Sequence, residues 1–174
     1  MDHYTFAAKF RALYEQAVAR YARGDRGADT FFNAADLAFL AAHGLTAQHL
    51  YDYAEDHNNY GDPGYDIALT IESVRRDYFL NVQHGRPSTV VADPDTWPAK
   101  TDAVQGISWL PRILPKVRAK LRGELPASMM YCCGGDRGFF KENNIHPAEF
   151  LNLAWRMGDD DAAIIQWVVQ RRGR

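Results

Sequence analysis

With 174 residues, 47% of them apolar and 24% charged, the chain is long enough to bury one sizeable core, or two small halves that need each other. A formal charge of −2 lacks the basic surplus of a dedicated nucleic-acid binder, and no apolar run approaches the roughly 20 residues that span a membrane. The opening MDHYTFAAKF has neither the basic nor the apolar segment of a secretory signal, so the expected location is cytoplasmic.

Phe6, Phe10, Leu13, Ala17, Val18 and Tyr21 recur at helical spacing and predict an amphipathic helix over about residues 3–23, stopped by Gly24-Asp25-Arg26-Gly27. Asn33 is the expected N-cap of a short helix with Asp36 at its third position, ended by Gly44. Thr46 caps the next helix, predicted to run to about Asp56. A polar turn-rich loop follows at 57–64, then a longer helix over about 65–82. From His84 to Ile107 the chain carries Pro87, Pro94 and Pro98 and reads as an ordered linker, with one short extended piece at Thr89-Val90-Val91.

Beyond Trp109 the apolar stripe Ile113, Leu114, Val117, Leu121 lies on one face and Arg112, Lys116 and Lys120 on another, a basic run expected to be solvated. Pro115 belongs in the first turn of that helix or just ahead of it. Gly134-Gly135-Asp136 opens a short helix, His146-Pro147 the next, and Asp159-Asp160-Asp161 caps the last. Residues 14–45 and 114–145 align without a gap at an offset of 100, which sets Asp36 on Asp136, Phe39 on Phe139 and Leu45 on Ile145. The expected fold is all-α: two weakly repeated helical units (1–83 and 109–174), joined by a proline-containing linker (84–108) and packed as one compact body.

Trp109-Leu-Pro-Arg112, Ala119-Lys-Leu-Arg-Gly123, Tyr131-Cys-Cys133, Asp136-Arg137-Gly-Phe139 and Ile145-His-Pro-Ala-Glu-Phe150 together resemble DUF5069, a domain of unknown function. The resemblance covers about residues 107–172. Leu50-Tyr-Asp-Tyr-Ala-Glu-Asp56 and Arg75-Arg-Asp-Tyr-Phe79 resemble the longer, two-part members. Where short members read Cys-Pro-Leu-Asp, this chain reads Cys133-Gly-Gly-Asp136 and lacks that stiff turn. The resemblance implies a soluble bacterial helical protein and no particular chemistry.

The chain's two cysteines, Cys132 and Cys133, are neighbours, so there is no disulfide framework and both thiols are expected to be reduced. Cys133 sits just before a helix N-terminus, where free N–H groups favour a thiolate, and Arg137 adds positive charge. One reading therefore makes Cys133 a nucleophile oriented by Asp136. Arg112, Arg137 and Tyr131 would hold a small anionic ligand at a seam between the halves, with Asp56, His57 and Tyr60 facing them. The other reading is a structural or interaction module in which Asp136 satisfies backbone amides at the helix start, Arg112 bridges Asp136 within the core, and Cys133 is an inert thiol. That Asn33 replaces Cys133 in the first copy while Asp36 is kept favours the second reading. His49, Asp52 and Asp56 share one helix face, yet no four-ligand zinc pattern exists and no metal or cofactor is expected. The charge reversal at the matching positions Glu149, Asn152 and Arg156 points instead to pairing between the halves. Arg75-Arg76 is expected at a helix end.

Overall fold

In the computed structural model, which describes residues 3–172, Phe6, Phe10, Leu13, Tyr14, Ala17 and Tyr21 form one buried face of helix α1 (Phe6–Ala22). Helix α2 (Ala34–Ala42) begins at Asn33, whose side chain accepts the Asp36 N–H at 2.9 Å. Helix α3 (Ala47–Tyr60) begins at Thr46, whose hydroxyl accepts the His49 N–H. Each such cap satisfies a donor with no intrahelical partner and contributes about 1 kcal/mol. Helix α3 runs one turn past its predicted end at Asp56 and takes in His57, Asn58 and Asn59 from the expected loop. Gly61, at φ +74, ends it. Helix α4 (Tyr65–Asn81) follows. Helix α1 packs against α3 and α4, burying Leu50, Tyr53, Ala54, Ala68, Ile71 and Phe79.

The chain divides into two compact units after Arg86. In the second, residues 87–108 carry a short 3-10 turn at Pro94–Thr96 and an antiparallel hairpin of β1 (Ala103–Val104) and β2 (Ile107–Ser108), with Ala103 opposite Ser108. Gln105 (φ +53) and Gly106 (φ +71) are both left-handed, as a tight two-residue hairpin turn requires. The sequence reading contained no strand here, and its extended piece at Thr89–Val91 forms none.

Helix α5 (Leu110–Arg122) holds Pro111 in its first turn, so Pro115, expected there, falls in the second. Helices α6 (Gly134–Glu142), α7 (Pro147–Met157) and α8 (Asp161–Arg172) complete the unit. Helix α5 packs on α7 and on β1, and α7 on α8. Leu110, Ile113, Val117, Phe139, Phe140, Phe150, Ile164 and Val168 fill its core. The class is all-α, eight helices among the described residues beside one small hairpin.

Several positions recur at an interval of 100 residues. Helices α2 and α6 start at 34 and 134, α3 and α7 at 47 and 147, and α1 and α5 end at 22 and 122. Both short helices close with a Schellman turn: Leu45 N–H reaches Leu40 O, and Ile145 N–H reaches Phe140 O, each at 2.9 Å. The left-handed residue is Gly44 (φ +71) in one and Asn144 (φ +52) in the other.

Candidate functional site

Trp109, Lys116 and the Cys132 amide converge on Asp136, and they do so because α6 starts where it does. Cys133 is the N-cap, Gly134 and Gly135 open the helix, and Asp136 in its first turn reaches back. Its Oδ2 accepts the Cys132 N–H at 2.8 Å. The same oxygen lies 2.7 Å from Lys116 Nζ, while Oδ1 accepts Trp109 Nε1–H at 3.0 Å. The carboxylate is 0% exposed and Lys116 3%. A buried charge needs this degree of pairing. Gly135 is required because Trp109 lies over it: a Cβ there would stand 2.4 Å from the indole ring.

Lys116 Nζ also donates to Cys133 Sγ at 3.3 Å. Cys133 is partly exposed, whereas Cys132 is buried at φ +71. Burial, with the Asp136 charge behind it, pushes the Cys132 thiol up to about 12. Cys132 therefore stays a neutral thiol at physiological pH.

The remaining candidates in this unit are held by backbone carbonyls. Tyr131 is buried and donates its hydroxyl to Pro147 O at 2.8 Å, and burial raises its phenol well above the usual value. Arg137 donates to Cys132 O at 2.8 Å, bracing the turn rather than reaching outward. Arg112 donates to Pro98 O at 2.7 Å and lies over Trp97. The partner of Asp136 is thus Lys116, one turn along α5, and not Arg112. The basic face expected to be solvated is a correction as well: Lys116 and Lys120 are both buried, because their long apolar stems extend the stripe of α5.

In the N-terminal unit, Asp56, His57 and Tyr60 lie in the last turn and a half of α3. His57 Nδ1 is 3.3 Å from Tyr14 Oη, Asp56 is half-buried, and Tyr60 is 72% exposed. His49 and Glu149, expected to oppose one another, each have a partner in their own unit: His49 Nδ1 is 3.8 Å from Glu72 Oε2, and Glu149 accepts Arg171 at 3.1 Å. Among the described residues no group of three or more His, Cys, Asp or Glu is placed to hold a metal ion.

Sequence reasoning missed a second polar cluster in this unit. Glu72 is 0% exposed and accepts the Tyr53 hydroxyl at 2.7 Å. Arg75 and Arg76 are buried in the body of α4 and not at its end, Arg75 lying over the Phe79 ring. The signal was present: Glu72, Arg75, Arg76 and Phe79 fall on one face of a helix whose neighbouring positions are apolar.

His43, 4% exposed, has Nδ1 2.7 Å from Phe39 O. Burial holds its imidazole below the ordinary value, and positive charge from Arg76 acts the same way. The folded chain therefore binds fewer protons than the unfolded chain once the pH falls below about 6.5, and stability declines from there toward the folded-state value. Asn143, the residue at the matching place in the other unit, bonds to Phe139 O in the same manner at 2.8 Å. His43→Asn should keep the bond and flatten the pH dependence of the N-terminal unit's urea midpoint between about pH 7 and 5. An unchanged slope would place that dependence on another group.

Residues 98–174 match the family model of DUF5069, a domain of unknown function, the family that the motifs of this stretch resemble. No curated protein and no solved structure matches the chain. No helix among the described residues is long and apolar enough to cross a membrane.

Proposed function

We propose that this is a non-catalytic helical binding module of the bacterial cytoplasm, in which the constellation around Asp136 is a structural clamp. One observation carries the reading. The Asp136 carboxylate is 0% exposed and meets an indole N–H, an amide N–H and an ammonium at 2.7–3.0 Å. A catalytic acid, base or orienter must reach the atoms it serves, and this one is enclosed by the fold. Tyr131, Arg137 and Arg112 are spent in the same way on backbone carbonyls. Two adjacent free thiols suit a reducing compartment. The recurring helix starts and turns support a duplicated helical unit as the origin of the chain.

A second reading is favoured by one specific contact. Cys133 Sγ, partly exposed at a helix N-cap, lies 3.3 Å from the Lys116 ammonium. In this reading the thiol is the working group of a small-molecule site, as nucleophile or as a donor toward a small anionic ligand.

Alkylation with iodoacetamide, followed by peptide mass spectrometry, separates the two. Cys133 should label in the folded protein and Cys132 only on unfolding. For the clamp, Cys133 reacts no faster than a free thiol and Lys116→Gln leaves its rate unchanged in molecules that remain folded. A rate about tenfold above a free thiol that collapses in Lys116→Gln would establish the thiol site instead.

A further inference from the structure

We propose that the N-terminal unit carries a binding site for a small oxyanion, the phosphate or carboxylate group of a small molecule, formed by Arg76 and His43 with His3 at its edge. It lies in the other unit from Cys133 and stands independently of the reading above.

The Arg76 guanidinium is buried, with its face 4.8 Å from the Phe6 ring. Among the described residues, the carboxylate it meets is that of Asp77, the next residue along, at 3.4 Å and 54% exposed. That is a poor counter-charge for a buried cation. Arg76 Nε is fully enclosed and has no hydrogen-bond partner. Its Nη2 is 2.8 Å from His3 Nδ1, so the outer edge of the fork is met by a neutral imidazole lone pair where an oxyanion oxygen is the better acceptor.

The His43 ring packs against the same Phe6 ring at 5.0 Å and against Phe39 at 4.3 Å. With Nδ1–H given to Phe39 O, its enclosed Nε2 also lacks a partner. Two buried nitrogens, one just after α2 and one on α4, thus share one aromatic floor and both lack a partner. Among the described residues, Arg76 on α4 acts on His43 as a positive charge, and His3 ahead of α1 adds to it when it carries a proton.

His3 is exposed and lies outside any helix, so it can withdraw at little cost. We read it as a placeholder for the ligand's oxygen. An oxyanion that replaces it takes Nη2–H and Nε–H from Arg76 in a two-pronged contact. It also favours a proton on His43 Nε2, which then donates to it.

The test is a titration of the full chain with inorganic phosphate at low ionic strength, with chloride as control, following the His3 and His43 imidazole signals by NMR. Saturable shifts of both signals and a rise in melting temperature are expected, stronger at pH 6 than at pH 8. Arg76→Gln should weaken binding by about tenfold or more, and Arg76→Lys, which keeps the charge and the fold, should weaken it less. His3→Ala should leave binding equal or tighter. Succinate in place of phosphate distinguishes a carboxylate ligand from a phosphate one. Absence of a saturable His43 shift in the wild-type chain overturns the proposal. So does equal binding by Arg76→Gln, which would mark an adventitious ion only, and so does weaker binding by His3→Ala.

Discussion

Lys116→Ala should destabilise the C-terminal unit by about 3–5 kcal/mol. The reason is not the bond lost but the group left behind. Asp136 is 0% exposed, and without Lys116 it loses the ammonium 2.7 Å away and keeps the Trp109 and Cys132 N–H donors. Asp136→Ala should be comparably severe, because it strands a buried ammonium. The double replacement Lys116→Met with Asp136→Leu should be milder than either single change, since it removes both charges at similar volume. All four tryptophans lie beyond Arg86, so their fluorescence reports this unit alone during urea unfolding. A Lys116→Ala loss below about 1 kcal/mol would show that the buried carboxylate finds another donor or takes up a proton, and the clamp would then not be a charged one.

Gly44→Ala should destabilise the N-terminal unit by about 2–5 kcal/mol. Two separable causes add. A left-handed residue other than glycine costs about 1–2 kcal/mol. A Cβ at this place would also meet Phe79, with Cγ 2.4 Å and Cβ 2.7 Å away, at an overpacking cost of about 1–3 kcal/mol. Asparagine tolerates the left-handed region, as Asn144 does at the corresponding turn of α6. Gly44→Asn should therefore relieve the first cause and keep the second, so it remains clearly destabilising. Asn144→Gly should be nearly neutral. Circular dichroism melts of the three variants decide the matter. A Gly44→Asn melt equal to wild type would mean that the Phe79 ring moves aside freely.

Local chemistry made much of the fold legible. Asn33 and Thr46 cap the helices they were expected to cap, Gly44 closes the short helix in the left-handed region, and the stripe from Phe6 to Tyr21 is buried as spaced. What stayed hidden was polarity inside the core. Periodicity assigns a lysine or an arginine to the solvent side by type, but Lys116 is drawn inward by Asp136 on another helix, and a single sequence does not record that attraction. The hairpin at Ala103–Ser108 has two residues per strand, too few to show an alternation. At the candidate site, Asp136 and Cys133 were recognisable from the helix start. The role of Lys116 was not, because Arg112 one turn earlier was an equally good partner on paper. Glu72 and His43 attracted no notice, since an isolated acid or imidazole in an apolar helix looks like any surface residue.

The two polar networks also differ in how much chain must be gathered to close them. Around Asp136 the donors lie 4 and 27 residues away, along one continuous stretch from Trp109 onward. In the N-terminal unit the bonds from Tyr65 to Ala7 and from Arg76 to His3 span 58 and 73 residues. Loop closure grows costlier by only about 0.6 kcal/mol for each doubling of length, yet that cost falls before any contact is made. The C-terminal clamp can therefore assemble as a local event. The N-terminal ring must wait until its first and last segments meet, and this makes it the slower of the two to acquire native order.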